Sequence, residues 1–302
     1  MEAAGQRIPE EVDRSTLRRA MAADLVRSEW AVRAPGGPAL FGQSWRPRTP
    51  RAAILIVHGL AEHSERYAAT AAALADAGFA VHAVDYRGHG KSEGGRVHVD
   101  RIEDYVADVR AALEEVRRRP PARPLFILGH SQGGLIALKL ALEDPGLLDG
   151  LVVTSPFLAV HPSSRPSAFI RALAHVMLRV APRVPMPTHI DVRVLSRDPA
   201  VGEAYARDPL VSHAASPGWL RAIGRAQREV RASAARLRVP TLLMASGDDR
   251  LVDAEAARQF AQAAPEVVEF VWWDGFFHEM LNDIGREEVL ARIVSWFAAR
   301  TA

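Results

Sequence analysis

Short apolar runs alternate along the chain with stretches whose apolar residues fall at helical spacing. Ala52-Ala53-Ile54-Leu55-Ile56-Val57 and Phe79-Ala80-Val81-His82-Ala83-Val84 are nearly continuous runs of strand length, the pattern of strands covered on both faces of a parallel sheet. Leu125-Phe126-Ile127-Leu128, Leu151-Val152-Val153-Thr154-Ser155, Thr241-Leu242-Leu243-Met244-Ala245 and Val267-Val268-Glu269-Phe270-Val271-Trp272 read the same way. Ahead of them, Ser28–Arg33 and Ala39–Trp45 alternate roughly and flank Pro35-Gly36-Gly37-Pro38, which predicts an antiparallel hairpin. Between the runs, Ser64 is placed to cap an alanine-rich helix. Another helix is predicted from Asp100, with Glu103 in the capping-box position and Ile102, Tyr105, Val106, Val109, Leu113 and Val116 on one face. A last helix closes the chain through Val289, Leu290, Ile293, Trp296 and Phe297. Strand and helix in alternation predict an α/β fold with a mostly parallel, doubly wound sheet. Such sheets bind their ligands at the carboxyl ends of the strands, where His58-Gly59, Asp85, Ser131 and Asp249 all fall.

The alternation breaks between about Ala159 and Leu237. That stretch is richer in Pro and Arg and carries Phe169, Ile170, Leu173, Val176, Met177, Leu178 and Val180 at helical spacing. It reads as a helical cap inserted between two strands, with apolar residues that seat the cap and a subset that lines a pocket. At 302 residues, the chain suits one large α/β domain carrying an insertion. The expected division is a polar N-terminal extension over 1–27 and one domain over 28–302, with the cap at about 159–237.

The chemistry centres on the third of the apolar runs. Pro124 to Leu128 leads into Gly129-His130-Ser131-Gln132-Gly133-Gly134 and then into the helix-forming Leu135-Ile136-Ala137-Leu138-Lys139-Leu140-Ala141-Leu142. A serine in Gly-x-Ser-x-Gly between a strand and a helix sits on a sharp, strained turn where only small neighbours fit. Its hydroxyl stands clear of the sheet, and the Gln132 backbone N–H points into the same space from the helix N-terminus. Ser131 is therefore the candidate nucleophile. A serine hydroxyl needs a base, and the base needs an acid to hold its tautomer. The sequence offers Ser246-Gly247-Asp248-Asp249-Arg250-Leu251-Val252-Asp253 after one later strand and Asp274-Gly275-Phe276-Phe277-His278-Glu279 after the last. Among the 11 histidines, His278 follows the final strand in a glycine-containing loop and is the candidate base. Asp253 suits the N-cap of a helix over Ala254–Ala264, while Asp248 and Asp249 are not separable by composition.

With these motifs add His58-Gly59-Leu60-Ala61-Glu62-His63-Ser64-Glu65-Arg66-Tyr67 and Asp85-Tyr86-Arg87-Gly88-His89-Gly90-Lys91-Ser92-Glu93-Gly94. Together, in this order, they resemble the monoacylglycerol lipase/lysophospholipase branch of the α/β-hydrolase superfamily over nearly all of the chain past its first two dozen residues. The resemblance implies the α/β-hydrolase fold with an inserted cap. It selects Asp249, the aspartate before Arg-hydrophobic-hydrophobic, as the acid and adds the backbone N–H of Leu60 to that of Gln132 as the oxyanion hole. Phe277 stands where relatives often have Tyr, which removes a hydroxyl and leaves the triad untouched. The implied activity is a serine carboxylic-ester hydrolase acting on monoacylglycerol or lysophospholipid through an acyl-serine. An amidase, aminopeptidase or perhydrolase would use the same residues, and a non-catalytic binding module would share only the frame. Glu62 and Arg66 read either as an ion pair bracing the oxyanion loop or as an exposed helical pair.

Charge and composition narrow the partners. Net charge is +2, too small to mark a nucleic-acid binder. From Ala159 to Pro240 there are 13 Arg, no Lys and 5 acidic residues, about +8, which leaves the remainder near −6. A basic cap favours contact with anionic lipid interfaces, although scattered arginines also make an ordinary solvated face. There are no cysteines, hence no disulfides and no thiolate sites. No metal or cofactor is expected, because no His/Asp cluster has ligand spacing and Gly88-His89-Gly90 lacks dinucleotide-binding spacing. With no apolar run of signal-peptide or membrane-spanning length, a soluble, cytoplasmic protein is expected, peripheral to lipid at most.

Overall fold

The computed structural model describes residues 25–119, 124–164, 167–188 and 190–301. The apolar runs form the strands of one eight-stranded sheet: β1 (Val26–Arg33), β2 (Ala39–Arg46), β3 (Ala52–Val57), β4 (Phe79–Val84), β5 (Leu125–His130), β6 (Gly150–Thr154), β9 (Thr241–Ser246) and β10 (Val268–Trp273). A two-residue ribbon, β7 (Met186–Pro187) against β8 (Ala214–Ala215), lies apart from it. Strand order is β1-β2-β4-β3-β5-β6-β9-β10. The hairpin strands β1 and β2 pair antiparallel with each other, and β2 pairs antiparallel with β4; all other neighbours are parallel.

Alternation of side chains along each strand explains why the central runs are apolar throughout. In β3, Ala53, Leu55 and Val57 join the core on one face, and Ala52, Ile54 and Ile56 join the core on the other. Helices α2 (Ile102–Arg117), α3 (Gln132–Glu143), α6 (Pro217–Ala232) and α7 (Ala254–Gln262) cover the first face. Helices α1 (Ala68–Asp76) and α8 (Arg286–Ala298) cover the second. The chain runs from β3 outward to β4 and then returns to β3's other side as β5. That reversal opens a crevice at the carboxyl ends of β3 and β5, which is where a doubly wound sheet receives a ligand.

The stretch expected to be a cap divides in two. Strands β6 and β9 are parallel neighbours, so their link must cross over the sheet. Helix α6 makes that crossing, packing on α3 and giving Trp219, Ala222, Ile223, Ala226 and Val230 to the core. Residues ahead of it, with α4 (Ala168–Val180) and α5 (Pro199–Arg207), leave the sheet. Here the expectation for the apolar residues fails in part. Ile170, Leu173, Val176 and Val180 of α4 are 41–71% exposed and neither seat the helix nor line a pocket. The amphipathic helix turns this face outward. The side chain of Phe169 lies outside the described residues.

Two helix starts also differ. Ser64 opens a short 3-10 turn and accepts a hydrogen bond from Gln43, so α1 begins only at Ala68. Helix α2 begins at Ile102, and Asp100 pairs with His98 on its own loop and with Arg183 of the insertion instead of capping it. Of the expected extension, residues 1–24 lie outside the described residues, and Val26 and Arg27 already belong to β1.

Helix α3 starts where it does only because residue 133 has no side chain. A Cβ there would lie 2.1 Å from the Val57 carbonyl oxygen and 2.4 Å from that of His58. Gly133→Ala should therefore destabilise the fold by about 3 kcal/mol, read as a lower urea midpoint with an unchanged slope; unaltered stability would contradict this packing.

Candidate active site

Ser131 sits between the end of β5 and the start of α3 with φ 52° and ψ −116°, a conformation costly for any residue with a side chain. Three backbone bonds hold it: Ser131 N–H donates to Thr154 O at 3.0 Å, while Leu135 N–H at 3.1 Å and Phe157 N–H at 2.9 Å donate to Ser131 O. Gly129 lets the turn close, since a Cβ there would meet Gly133 O at 2.9 Å. The Ser131 side chain then faces the loop after β10.

That loop brings His278 Nε2 to 3.0 Å from Ser131 Oγ. His278 Nδ1 lies 2.7 Å from Asp249 Oδ2. The other carboxylate oxygen, Oδ1, accepts from Leu251 N–H at 2.8 Å and Val252 N–H at 2.9 Å, which locks the carboxylate's orientation. Asp249 is buried whereas Asp248 is exposed, so only one of the adjacent pair reaches the imidazole. Asp253 caps α7, accepting from Glu255 N–H at 3.1 Å. The carbonyl of His278 accepts from Ser155 Oγ at 2.9 Å. Ser155 was not singled out in the sequence; nothing about a serine one residue past a strand marks such a brace.

The electrostatics match the geometry. Burial pulls His278 downward, but the Asp249 charge and hydrogen bond more than offset it, so its pKa lies above the ordinary 6.5. With Asp249 on Nδ1 the proton resides there, and Nε2 presents its lone pair to the serine. His130 beside it has its pKa lowered to about 3 by burial and by the neighbouring His278, so it stays neutral.

Leu60, just past β3, and Gln132, first residue of α3, flank Ser131. Among the described residues neither backbone N–H has a hydrogen-bond acceptor. The Glu62–Arg66 pair is buried, which excludes an exposed surface pair: the side chains are 4% and 9% exposed. Glu62 Oε1 accepts from Gly59 N–H at 2.6 Å and from Tyr67 Oη at 2.6 Å, and Oε2 pairs with Arg66. Arg66 also reaches Glu279, at 3.0 and 2.8 Å. Burial pushes the Glu62 carboxyl up, yet Arg66 and its neighbours hold it down, to about 2. The loop after β3 is thus tied to the residue next to His278. Asp85, expected at the same rim, instead accepts from Ser64 N–H at 2.7 Å and Lys91 N–H at 2.9 Å, joining two loops.

A cavity of about 410 Å³ opens over Ser131 and His278, with Phe157, Val160, Ile190, Val194 and Leu251 among its walls. Among the described residues, no group of three or more His, Asp or Glu side chains is placed to hold a metal ion. Nor is any helix among them long and apolar enough to cross a membrane.

A parallel sheet reversing at β3/β5, a serine on a strained strand–helix turn and an imidazole within hydrogen-bond reach define an α/β-hydrolase. Residues 48–285 match the Hydrolase_4 family, described as serine aminopeptidase, S33, and the chain belongs to that family. It is 33% identical over 276 residues to a monoacylglycerol lipase of Mycolicibacterium smegmatis, covering 90% of this chain and 98% of the relative. It is 33% identical over 277 residues to the monoglyceride lipase of Homo sapiens, covering 88% and 89%. The crystal structure of Paleococcus ferrophilus monoacylglycerol lipase is similar at a TM-score of 0.76 and 30% identity, covering 91% of this chain and 99% of that one. The protein is a monoglyceride lipase-like α/β-hydrolase.

The raised pKa of His278 sets a pH dependence. As the candidate base, the imidazole would accept the serine proton only when neutral, so activity would be lost as pH falls through its pKa. The acid limb of kcat/KM should have its midpoint above 6.5; a midpoint at or below that value would contradict the Asp249 contact as the controlling charge.

Proposed function

We propose that the protein hydrolyses carboxylic esters of fatty acids, monoacylglycerols first, with Ser131 as nucleophile, His278 as base and Asp249 as the acid that orients it. The observation that carries this reading is the unbroken line of contacts from Ser131 Oγ through His278 to Asp249, beside two backbone amides that have no acceptor among the described residues. Ser131 Oγ adds to the ester carbonyl as His278 Nε2 takes its proton. The Leu60 and Gln132 amides receive the oxyanion, and the alcohol leaves with the proton from Nε2. Water, deprotonated by the same nitrogen, then cleaves the acyl-serine. In this reading residues 28–302 form one domain, and the insertion after β6 is a cap whose inner walls meet the acyl chain. The names of the relatives support monoacylglycerol; lysophospholipid is the next class to test.

The aminopeptidase in the family's description is the competing activity. Such a substrate carries an ammonium group, which needs an uncommitted carboxylate in the cavity. The carboxylates on its walls are Glu62, Asp191 and Glu279. Glu62 and Glu279 are held by Arg66, and Asp191 by Arg193. An ester therefore fits this site better than an aminoacyl group.

The outward face of α4 supports a further part of the reading, contact with a lipid surface. Ile170, Leu173, Val176 and Val180 form an exposed apolar row, and Arg179 and Arg183 are exposed beside it. Apolar residues flanked by arginines suit the boundary of an anionic bilayer.

Ser131→Ala should abolish turnover of monoacylglycerol and p-nitrophenyl esters with the fold intact. Asp249→Asn should cost about 10⁴ in kcat and Asp248→Asn much less; the reverse ranking would move the acid by one residue. Faster turnover of aminoacyl anilides than of esters would favour the peptidase, and inertness to esters and a fluorophosphonate alike would favour a binding module. Binding to anionic vesicles should weaken as salt rises. It should fall about tenfold in Val176→Glu/Val180→Glu, with hydrolysis of a soluble short-chain ester retained. Vesicle binding indifferent to salt and to these changes would remove the lipid surface from the reading.

A further inference from the structure

Behind the oxyanion loop lies a chain of buried hydrogen bonds whose direction can be worked out from its first member. Trp219, on α6, has an indole N–H that can only donate. It lies 2.7 Å from Gln132 Oε1, which fixes the orientation of that side-chain amide. Gln132 Nε2 then donates to Tyr86 Oη at 2.9 Å. Tyr86 has one hydroxyl proton left to place, and it goes to the Gly59 carbonyl at 2.7 Å, with only a longer 3.4 Å approach to His58 O. Burial raises the Tyr86 hydroxyl well above its ordinary pKa, so the proton stays on oxygen. The Gly59 oxygen receives a second donor. His58 is buried, and its pKa is lowered chiefly for that reason, so its ring is neutral. Its Nδ1, 2.8 Å from Gly59 O, must carry the hydrogen because a carbonyl only accepts.

The carbonyl of Gly59 and the N–H of Leu60 belong to one peptide unit. In a planar trans peptide they point in opposite directions. Two donors gripping the carbonyl from behind therefore aim the Leu60 N–H forward, towards Ser131, and polarise it as a donor. The remaining freedom of the loop is limited on its other side, where Glu62 holds Gly59 N–H.

We propose that Tyr86 is a positioning residue for the oxyanion hole: through the one-way chain Trp219, Gln132, Tyr86, Gly59 carbonyl, it sets the direction of the Leu60 amide. Gln132 acts twice, giving one oxyanion donor from its backbone and aiming the other through its side chain. The link to Trp219 makes the helix that crosses from β6 to β9 part of the hole's support. This inference rests on the ester-hydrolase reading of the site and assigns a role beyond it.

The experiment is steady-state kinetics of the full chain on a p-nitrophenyl ester, with the second-order rate of fluorophosphonate labelling as a parallel readout. Tyr86→Phe keeps the ring stacked on His58, with centroids 4.1 Å apart, and removes only the hydroxyl. Losing an oxyanion donor outright costs about 10²–10³ in kcat, so mis-aiming one should cost about tenfold, with KM nearly unchanged and labelling slowed in parallel. Gln132→Met breaks the same chain one link earlier. It should lower kcat alike, and the double variant should fall no further than the worse single. Tyr105→Phe is the control for a lost buried hydroxyl: it packs edge-on to Tyr86, its Oη has no hydrogen-bond partner among the described residues, and kcat should match wild type. If Tyr86→Phe fails to fold, Gln132→Met carries the same expectation. Wild-type kcat in the variants, a loss confined to KM, or an equal loss in Tyr105→Phe would overturn the inference. Turnover surviving in Ser131→Ala would instead overturn the reading of the site, so the two failures are distinguishable.

Discussion

The close approach of the α3 N-terminus to the end of β3 is the constraint on which the site depends. Residue 133 packs against the Val57 and His58 carbonyls so tightly that no side chain fits. To enter the helix at that distance, the chain must turn sharply at Ser131, and the positive φ there is the result. The same approach brings the first amides of α3 alongside the loop that leaves β3. Serine hydroxyl and both candidate oxyanion donors therefore come from a single packing contact. The strain of roughly 1–3 kcal/mol at such a residue is offset by the core on both faces of β3 and β5.

Around this contact, the polar groups are arranged so that few are left to move. Glu62, Arg66 and Glu279 form a buried cluster of alternating charge that spans from the loop after β3 to the loop that carries His278. Removing one member would leave an uncompensated buried charge, which is far more costly than the pair is stabilising. Asp249 is held by two backbone amides and Gly59 by donors on its carbonyl and an acceptor on its amide. Preorganisation of this kind lets dipoles meet a developing charge without rearranging first.

The insertion after β6 answers two demands at once. A parallel pair needs a crossover, and α6 supplies it while reaching Gln132 through Trp219. The part ahead of α6 is free of that duty and can turn an apolar face of α4 outward. Core and surface functions are thus separated along one stretch of chain.

Much of this was legible beforehand because it follows from local rules. Continuous apolar runs can be satisfied only by burial on two faces, so β3, β4, β5, β6 and β9 fell within a residue or two of their bounds. Gly129 and Gly133 around Ser131 announced a turn that admits no larger neighbours. Ser131, Gln132 and His278 stood out as candidates from their own motifs, and the family resemblance added Asp249 and Leu60 to them. What the sequence could not decide were matters of partner choice. Helical spacing shows that α4 has an apolar face but not which way it points, and Asp100 and Ser64 look like caps until other partners take them. The choice between a buried and an exposed Glu62–Arg66 pair depended on Glu279, more than two hundred residues away. The linkage from Trp219 to Gly59 left no local trace. Gly59, Tyr86 and Gln132 fall in three separate motifs and Trp219 in none, and only their convergence in space makes each hydrogen bond possible.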